Sequence, residues 1–306
     1  MNRFRSQVGV DAARPQRSSA SRVAQSAAPI VAGLALTALI AVALAPRPLQ
    51  AGPAIKKLVF DDPAGDDFGP GSYVYPTNAV YRPKSFDLRQ VEIIDKGATL
   101  HFTIKLGARI EDPWNSKQWP GGGNGFSLQF VQIYIDTDHK KNSGFTTGLP
   151  GLGGVAFAAD EAWDKVVLVS PQPRSKLEME VKYKAKTMKS AVVIPTATRA
   201  RGKSLVAIVK KSDLGDLGAN WGFQVVVQSN EGFPAKRDIL TRRVNEVRGE
   251  HRFGGGHDSE CDPHVLDILA GKAKGEASEV GAQKRALAYI CGKKIATLPM
   301  IYANQR

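Results

Sequence analysis

The segment Thr99–Leu106, TLHFTIKL, places leucine, phenylalanine and isoleucine at every second position, with histidine, threonine and lysine between them. Because successive side chains of a β-strand point to opposite faces, this alternation predicts a strand with one buried face and one face in water. Similar strand-length patterns occur at 57–60, 91–94, 131–136, 166–169, 177–184, 191–194, 205–209 and 223–227. Clusters of Gly, Pro, Asn and Asp separate these segments, as they do in turns.

Short strands without amphipathic helices between them predict an all-β protein, an antiparallel β-sandwich rather than a βαβ fold. We expect the sandwich over residues 52–250 and a loop with short helices over residues 251–306, packed on the same domain. This C-terminal appendage begins with a glycine-rich loop at 251–258, HRFGGGHD.

Two short helices are predicted within the appendage. Asp262 and Pro263 provide a cap and a first-turn residue for a helix over Val265–Leu269. A second helix is expected over Ser278–Ile290, with its apolar residues on one face and Ser278 as a possible cap. Those apolar residues are Val280, Leu287 and Ile290.

The N-terminal segment has the three parts of a secretory signal. Basic residues precede an uncharged apolar stretch at 27–44, and small and turn-forming residues follow it. We expect residues 1–51 to be a signal peptide cleaved after Ala51, with an uncleaved anchor as the alternative. Either way, the bulk of the chain is expected to be exported, to the periplasm, the cell surface or the medium.

The net positive charge of the chain does not by itself identify a binding partner. The 306 residues include 42 Lys and Arg against 29 Asp and Glu, a formal net charge of +13. Residues 1–51 hold six of the arginines and one aspartate, so the remainder has a net charge of +8. Because no cluster combines basic and aromatic residues at nucleic-acid spacing, we predict no nucleic-acid partner.

Two segments concentrate carboxylates. Residues 61–67, DDPAGDD, carry four aspartates, and Asp136 and Asp138 follow an apolar strand. A flexible, oxygen-rich loop of this kind suits Ca²⁺, although an exposed acidic turn has the same composition. A sandwich can bring two such loops together at one end, and neither segment has the EF-hand pattern.

Ten short motifs follow one another along the chain: DDPAGDDFGPGSYVYPT at 61–77, SFDL at 85–88, DPW at 112–114, GFSLQ at 125–129, YIDTD at 134–138, LPG at 149–151, WD at 163–164, DP at 262–263, VLD at 265–267 and LPM at 298–300. This ordered series resembles the C-terminal domain of glucodextranase. That domain belongs to the DOMON-like sandwiches of jelly-roll type, similar to carbohydrate-binding module family nine. A glycine-rich insertion at 115–123 departs from the pattern.

The resemblance implies a β-sandwich that binds sugars or cell-surface glycans and is stabilised by calcium. The aspartates on its matching acidic motifs are the predicted metal ligands. They are Asp62, Asp66, Asp67, Asp136 and Asp138.

Aromatic residues in loops rich in glycine and proline are candidate platforms for a pyranose ring, since stacking suits an amphipathic sugar face. Trp114 and Trp119 are the foremost candidates, and Tyr73 and Tyr75 are also candidates for carbohydrate binding. Core packing is the alternative for all of them. It is the better interpretation for Trp163 and Trp221, which begin strands.

Cys261 and Cys291 are the only cysteines of the chain. In an exported protein, two cysteines are most simply read as one disulfide. The alternative is a metal site in which both cysteines join His257 and His264, although this spacing matches no familiar zinc finger.

Catalytic motifs are absent from the sequence: it has no GxSxG, no HExxH and no phosphate-binding loop. We therefore predict a non-catalytic module that binds a polysaccharide or cell-surface glycan, with structural calcium. Two alternatives stay open: a haem- or redox-linked periplasmic module, with Met179 or Met188 and His101 as nominal axial ligands, and a scaffold for a partner enzyme at the envelope. Contact with a membrane is expected only through an uncleaved N-terminal segment.

Overall fold

A computed structural model describes residues 55–258, 261–270 and 279–303 of the protein. The predicted signal peptide lies outside these residues, so cleavage and export stay predictions. Within the described part of the chain, no helix is long and apolar enough to cross a membrane.

The chain is mostly β-structure, as predicted. The strands in chain order are β1 (Lys57–Asp61), β2 (Leu88–Asp95), β3 (Thr99–Leu106), β4 (Gln129–Asp136), β5 (Val155–Phe157), β6 (Lys165–Val169), β7 (Val192–Val193), β8 (Ala197–Arg201), β9 (Ser204–Lys210), β10 (Gly222–Ser229), β11 (Asp267–Ile268), β12 (Ala296–Leu298) and β13 (Ile301–Tyr302). The helices are α1 (Arg174–Lys184), α2 (Lys211–Leu214) and α3 (Glu279–Ala286), with short 3₁₀ turns at Ser116–Gln118 and Lys186–Ala191.

Two sheets form the sandwich. The first is antiparallel, in the order β1-β2-β3-β9-β8, and the second has the order β11-β10-β4-β6-β7, with β13 also beside β10. The strands of the second sheet are antiparallel apart from the β6–β7 pair. A separate parallel pair joins β5 and β12.

The alternation in β3 correctly predicts its buried face. Leu100, Phe102, Ile104 and Leu106 are fully buried, while the residues between them are partly or fully exposed. They contribute to a core between the sheets that also contains Val131, Ile133 and Ile135 of β4.

The second sheet is covered on both faces, because every residue of β4 and β10 is buried. On its outer face, Phe130 and Tyr134 belong to a second core that includes Leu177 and Val181 of α1. The helix and the C-terminal segment therefore shield a sheet face that would otherwise meet water.

The predicted strand at 177–184 is wrong, since these residues lie in α1. Leu177, Glu180 and Val181 are buried at the i, i+3, i+4 spacing of a helix, whereas Met179 and Tyr183 are 49% and 62% exposed. The alternating apolar residues of this segment therefore do not share one buried face: Leu177 and Val181 are buried, whereas Met179 and Tyr183 are exposed.

Ion pairs between residues four apart support the same helix. Arg174 pairs with Glu178 at 2.8 Å, and Lys184 pairs with Glu180. Spacing of opposite charges at i and i+4 stabilises a helix and has no equivalent role in a strand.

The C-terminal segment differs from its prediction in detail. Val265–Leu269 is not helical: it contains β11, in which Asp267 pairs with Val227 of β10. The second predicted helix is the shorter α3, and Ile290 beyond it is 55% exposed. The proposed cap, Ser278, lies outside the described residues. Because β11 and β13 join the second sheet, this segment completes the sandwich as well as covering it.

Cys261 and Cys291 form the predicted disulfide, with their Cα atoms 5.4 Å apart. His257 lies close enough to both cysteines to share an ion with them, but sulfurs joined in a disulfide are not the thiolates that zinc requires.

Candidate functional site

A first acidic cluster lies where the loop after β1 meets β2 and β11. It contains five buried carboxylates. They are Asp62, Asp66, Asp67, Asp87 and Asp267. Carboxylate oxygens of Asp62, Asp66 and Asp267 all lie within 4.8 Å of one another.

The backbone of the loop is fixed by contacts with the C-terminal segment. The Gly69 N–H donates to the Leu266 carbonyl at 2.8 Å, and the side chain of Gln283 in α3 donates to the carbonyls of Asp66 and Gly69. Gly69 has φ +59°, and a Cβ there would lie 2.4 Å from the Tyr73 ring. Only glycine therefore allows this close turn.

Hydrogen bonds hold several of these carboxylates but leave one without partners. Asp267 accepts the N–H groups of Leu88 and Ile268, and the Tyr75 hydroxyl donates to Asp67. Both carboxylate oxygens of Asp66 are buried and have no hydrogen-bond partner in the described structure.

The electrostatics of the first acidic cluster disfavour ionisation. Burial, reinforced by Asp87, raises the pKa of Asp66 to about 6. Burial together with the nearby Asp62 raises the pKa of Asp267 well above its usual value. Burial also raises the pKa values of Asp67 and Asp87.

These observations suit a hard dication at the first acidic cluster. Asp87 pairs with Arg89 at 3.5 Å, whereas both carboxylate oxygens of Asp66 lack a hydrogen-bond partner among the described residues. A buried carboxylate without partners is costly, and an oxygen-binding cation supplies both charge and coordination. Asp62, Asp66 and Asp267 are the residues whose geometry would hold such an ion.

A second acidic cluster contains Asp136, Asp138 and Asp164, whose oxygens also lie within 4.8 Å of one another. Its carboxylates are engaged within the protein. Asp136 accepts the His139 N–H at 2.7 Å and the Tyr302 hydroxyl at 2.7 Å. These bonds build the turn that follows β4.

The structure does not bring the two acidic loops together. Asp267 pairs with Val227, which pairs with Val131 of β4. Asp136 ends β4 five positions further along, which corresponds to roughly 17 Å of extended strand. The predicted ligands therefore divide into Asp62, Asp66 and Asp67 on one side and Asp136 and Asp138 on the other.

Trp114 and Trp119 meet at a groove of about 450 Å³. The Trp119 Nε1 donates to the Trp114 carbonyl at 3.0 Å. Asp112 fixes the same loop, because it accepts the Ser116 N–H at 2.9 Å and the Ser127 hydroxyl. Trp114 and the glycine-rich insertion that follows it thus place two indole rings at one surface site, which we call the Trp119 groove.

The other side of the Trp119 groove comes from residues after β10. Phe233 is 94% exposed, and Glu231, two residues before it, also lines the groove. The Arg242 guanidinium lies 5.7 Å from the centre of the Trp114 ring. Sequence reasoning missed Phe233. The available signal was its position between Gly232 and a proline, the same kind of setting that drew attention to the tryptophans.

The two tyrosine candidates lie away from this groove. Tyr73 is 3% exposed, and its hydroxyl donates to the Pro263 carbonyl. Tyr75 packs its ring 4.8 Å from that of Phe253 and donates to Asp67. Tyr73 is therefore buried and Tyr75 packs against another ring, and carbohydrate binding by either tyrosine stays a prediction. Trp163 and Trp221 are buried, as expected.

The nominal haem ligands do not converge inside the sandwich. His101 is on the outer face of the first sheet, opposite the buried side chains of β3. Met179 is exposed on α1, and Met188 packs against the second core. These positions provide no axial pair between the sheets.

Comparison with known protein families matches residues 58–301 to the family described as the C-terminal binding module, SLH-like, of glucodextranase. The match includes both acidic clusters, the disulfide and the Trp119 groove. No curated protein matches the chain.

Proposed function

The chain belongs to this family of binding modules, and on that premise we propose that it is an exported, non-catalytic module that binds polysaccharide or cell-surface glycan in the Trp119 groove. Calcium at the first acidic cluster stabilises it. The observation that carries the proposal is the convergence of Trp114, Trp119 and Phe233 on one open groove.

The composition of the groove supports carbohydrate as its ligand. Aromatic rings provide flat apolar area for the C–H face of a sugar, and polar groups at the edge bind its hydroxyls. Gln172, Asn230 and Glu231 line the same groove as the rings. Its volume lies within the range of about 300–1,000 Å³ that is usual for small-ligand sites.

The same groove argues against glycoside hydrolysis there. Glycosidases commonly use a pair of carboxyl groups flanking the scissile bond. Among the described residues that line the groove, Glu231 is the only carboxylate, and Arg242 and Arg252 lie 3.7 Å and 3.5 Å from its oxygens. The groove therefore lacks the second carboxyl group that this chemistry uses, among the residues that the structure describes.

Calcium is proposed at Asp62, Asp66 and Asp267, because the Asp66 oxygens are buried without partners. The ion would neutralise carboxylates contributed by the loop after β1 and by β11. In doing so it would cross-link the beginning and the end of the sandwich, two parts of the chain about 200 residues apart in sequence.

Export is supported by the predicted signal and by the disulfide, since disulfides persist mainly in oxidising compartments. No transmembrane role is proposed for the sandwich, and a membrane would be contacted only through an uncleaved N-terminal segment.

The test is affinity electrophoresis of the protein through gels that contain neutral or acidic polysaccharides. We expect retardation by at least one glycan, and Trp119→Ala should abolish most of it because the stacking surface is lost. Tyr183→Ala is the matched control, since it removes an exposed aromatic ring on α1 that lies outside the groove. Equal melting temperatures would show that both variants are folded.

No retardation of the wild type on any glycan would contradict the proposal. Equal retardation of Trp119→Ala and the wild type would remove the groove as the binding site.

A further inference from the structure

We propose that the ligand of the Trp119 groove is an acidic polysaccharide, a polymer of uronic acids whose carboxylates bind Lys176 and Arg242 while its pyranose rings stack on the aromatic side chains. This inference rests on the proposed function and specifies the chemical class of its glycan.

The first argument is the charge of the groove. Lys176 and Arg242 line it and Arg252 borders it, against the single carboxylate of Glu231. The Arg–Glu distances of 3.7 Å and 3.5 Å exceed the 2.7–2.9 Å typical of a charge-assisted hydrogen bond. The guanidinium groups of Arg242 and Arg252 therefore retain N–H groups that can donate to a bound anion.

The second argument is the position of Lys176. Its ammonium group donates to the Gly232 carbonyl and lies 5.3 Å from the centre of the Phe233 ring. No carboxylate of the described chain lies within salt-bridge distance of it. Burial, the largest effect on this group, lowers the pKa of Lys176. Glu180 and Glu231 act on this charge only from beyond salt-bridge distance, and an anion bound at this position would add to their partial compensation.

The third argument is the net charge of the two segments that contribute Lys176, Phe233 and Arg242 to the groove, although most of their other cations lie elsewhere on the surface. Segments 172–191 and 231–252 together contain twelve Lys and Arg against six Asp and Glu. Their excess of +6 accounts for most of the +8 carried by the chain beyond residue 51. The two segments touch, because Lys184 donates to the Asp238 carbonyl at 2.7 Å. A concentrated field of one sign attracts a polyanion and raises its association rate.

Concavity favours a glycan over an anionic lipid surface. Trp114 and Trp119 are half-buried in the walls of a groove, so that Phe233 is the only one of the three rings that protrudes, whereas a membrane-surface segment buries a continuous apolar face. A groove that is lined with aromatic side chains and bordered by cations matches a uronic-acid polymer, which presents the faces of its pyranose rings together with carboxylates.

The experiment is calorimetric titration with oligogalacturonate and with a neutral gluco-oligosaccharide of equal length, at equal free calcium and two salt concentrations. We expect the oligogalacturonate to bind at least tenfold more tightly at low salt and to lose more of its affinity at high salt, because screening weakens ionic contacts. Lys176→Gln should weaken uronate binding roughly five- to tenfold and neutral-sugar binding less than twofold.

Lys96→Gln is the matched control, since it makes the same charge change at an exposed turn between β2 and β3. Equal affinity for the two sugars would overturn the inference, as would an equal loss in Lys96→Gln and Lys176→Gln. Binding to vesicles of anionic phospholipid that excludes the uronate would assign the groove to a lipid surface and overturn it too.

The inference and the proposed function fail in different ways. If the neutral sugar binds as well as the uronate and Trp119→Ala abolishes both, only the acidic specificity is wrong. If neither sugar binds and no polysaccharide retards the protein in the affinity gels, the carbohydrate function is wrong as well.

Discussion

Each acidic cluster contains three aspartates whose carboxylate oxygens lie within 4.8 Å of one another. The clusters differ in whether those oxygens accept hydrogen bonds. In the first acidic cluster, the Asp66 carboxylate is buried and accepts no hydrogen bond in the described structure. In the second, Asp136 accepts bonds from the backbone and from Tyr302. Closeness of carboxylates is therefore a weaker indication of a metal than a buried carboxylate without partners.

The clusters also differ in burial, since all three carboxylates of the first are buried whereas Asp138 and Asp164 of the second are partly exposed. The second acidic cluster lies in a turn, where Asp138 is paired with Lys140 at 3.4 Å and with the Ser143 hydroxyl at 3.0 Å. The first lies under the C-terminal segment, where water is largely excluded and like charges repel strongly. The same residue type thus forms a turn in one place and includes a buried carboxylate without hydrogen-bond partners in the other.

The largest expected effect is that of calcium on thermal stability. An ion that binds only the folded state at a hundred times its dissociation constant stabilises by about 2.7 kcal/mol. For a chain of this size, that corresponds to a rise in melting temperature of roughly 5–10 °C. Differential scanning calorimetry of chelated and calcium-loaded protein measures it. Identical melting temperatures would remove the metal from the first acidic cluster.

A matched pair of substitutions assigns the effect to one cluster. Asp66→Asn should reduce the calcium-induced rise to less than about 2 °C, because it removes a charged ligand. Asp138→Asn should leave the rise unchanged, since its carboxylate belongs to the other cluster. In chelator, Asp66→Asn should be at least as stable as the wild type, because it removes a buried charge without a partner.

The reverse pattern would exchange the roles of the two clusters. If Asp138→Asn removed the calcium response and Asp66→Asn preserved it, hydrogen-bond satisfaction would be the wrong criterion for locating the ion.

Sequence pattern predicts the sandwich because many of its strands have one face in a core. The β3 segment shows this most clearly, since all four of its apolar residues face inward. The pattern fails at α1, where polar and apolar residues alternate although only one helical face is buried. There the ion pairs at i and i+4 carried the helical signal.

The candidate sites are predicted in part for a related reason. Asp62 and Asp66 are close in sequence and form an obvious acidic loop, but Asp267 reaches them only because β11 pairs with β10. Phe233 likewise lines the same groove as Trp119 only because the loop after β10 lies against α1. Contacts between distant segments depend on strand pairing, which local composition does not specify.

The smallest expected effect, and the one that distinguishes a proton from a metal at the first acidic cluster, is its pH dependence. Burial raises the pKa of Asp66 to about 6 in the folded protein, above the ordinary value of 3.8 expected when unfolded. Between these values the folded state binds more protons, so its stability falls as the pH rises. Chelated protein should therefore melt a few degrees higher at about pH 5 than at about pH 7.

Calcium should reverse that preference, because the ion binds the ionised carboxylates and competes with protons. Its stabilising effect should be larger at pH 7 than at pH 5. Asp66→Asn is the control, since it lacks the titrating group and should lose much of the pH dependence in chelator. If chelated wild type and Asp66→Asn respond identically to pH, then Asp66 is ionised and compensated in the folded protein. The two acidic clusters would then differ only in the arrangement of their carboxylates, and not in the protonation of Asp66.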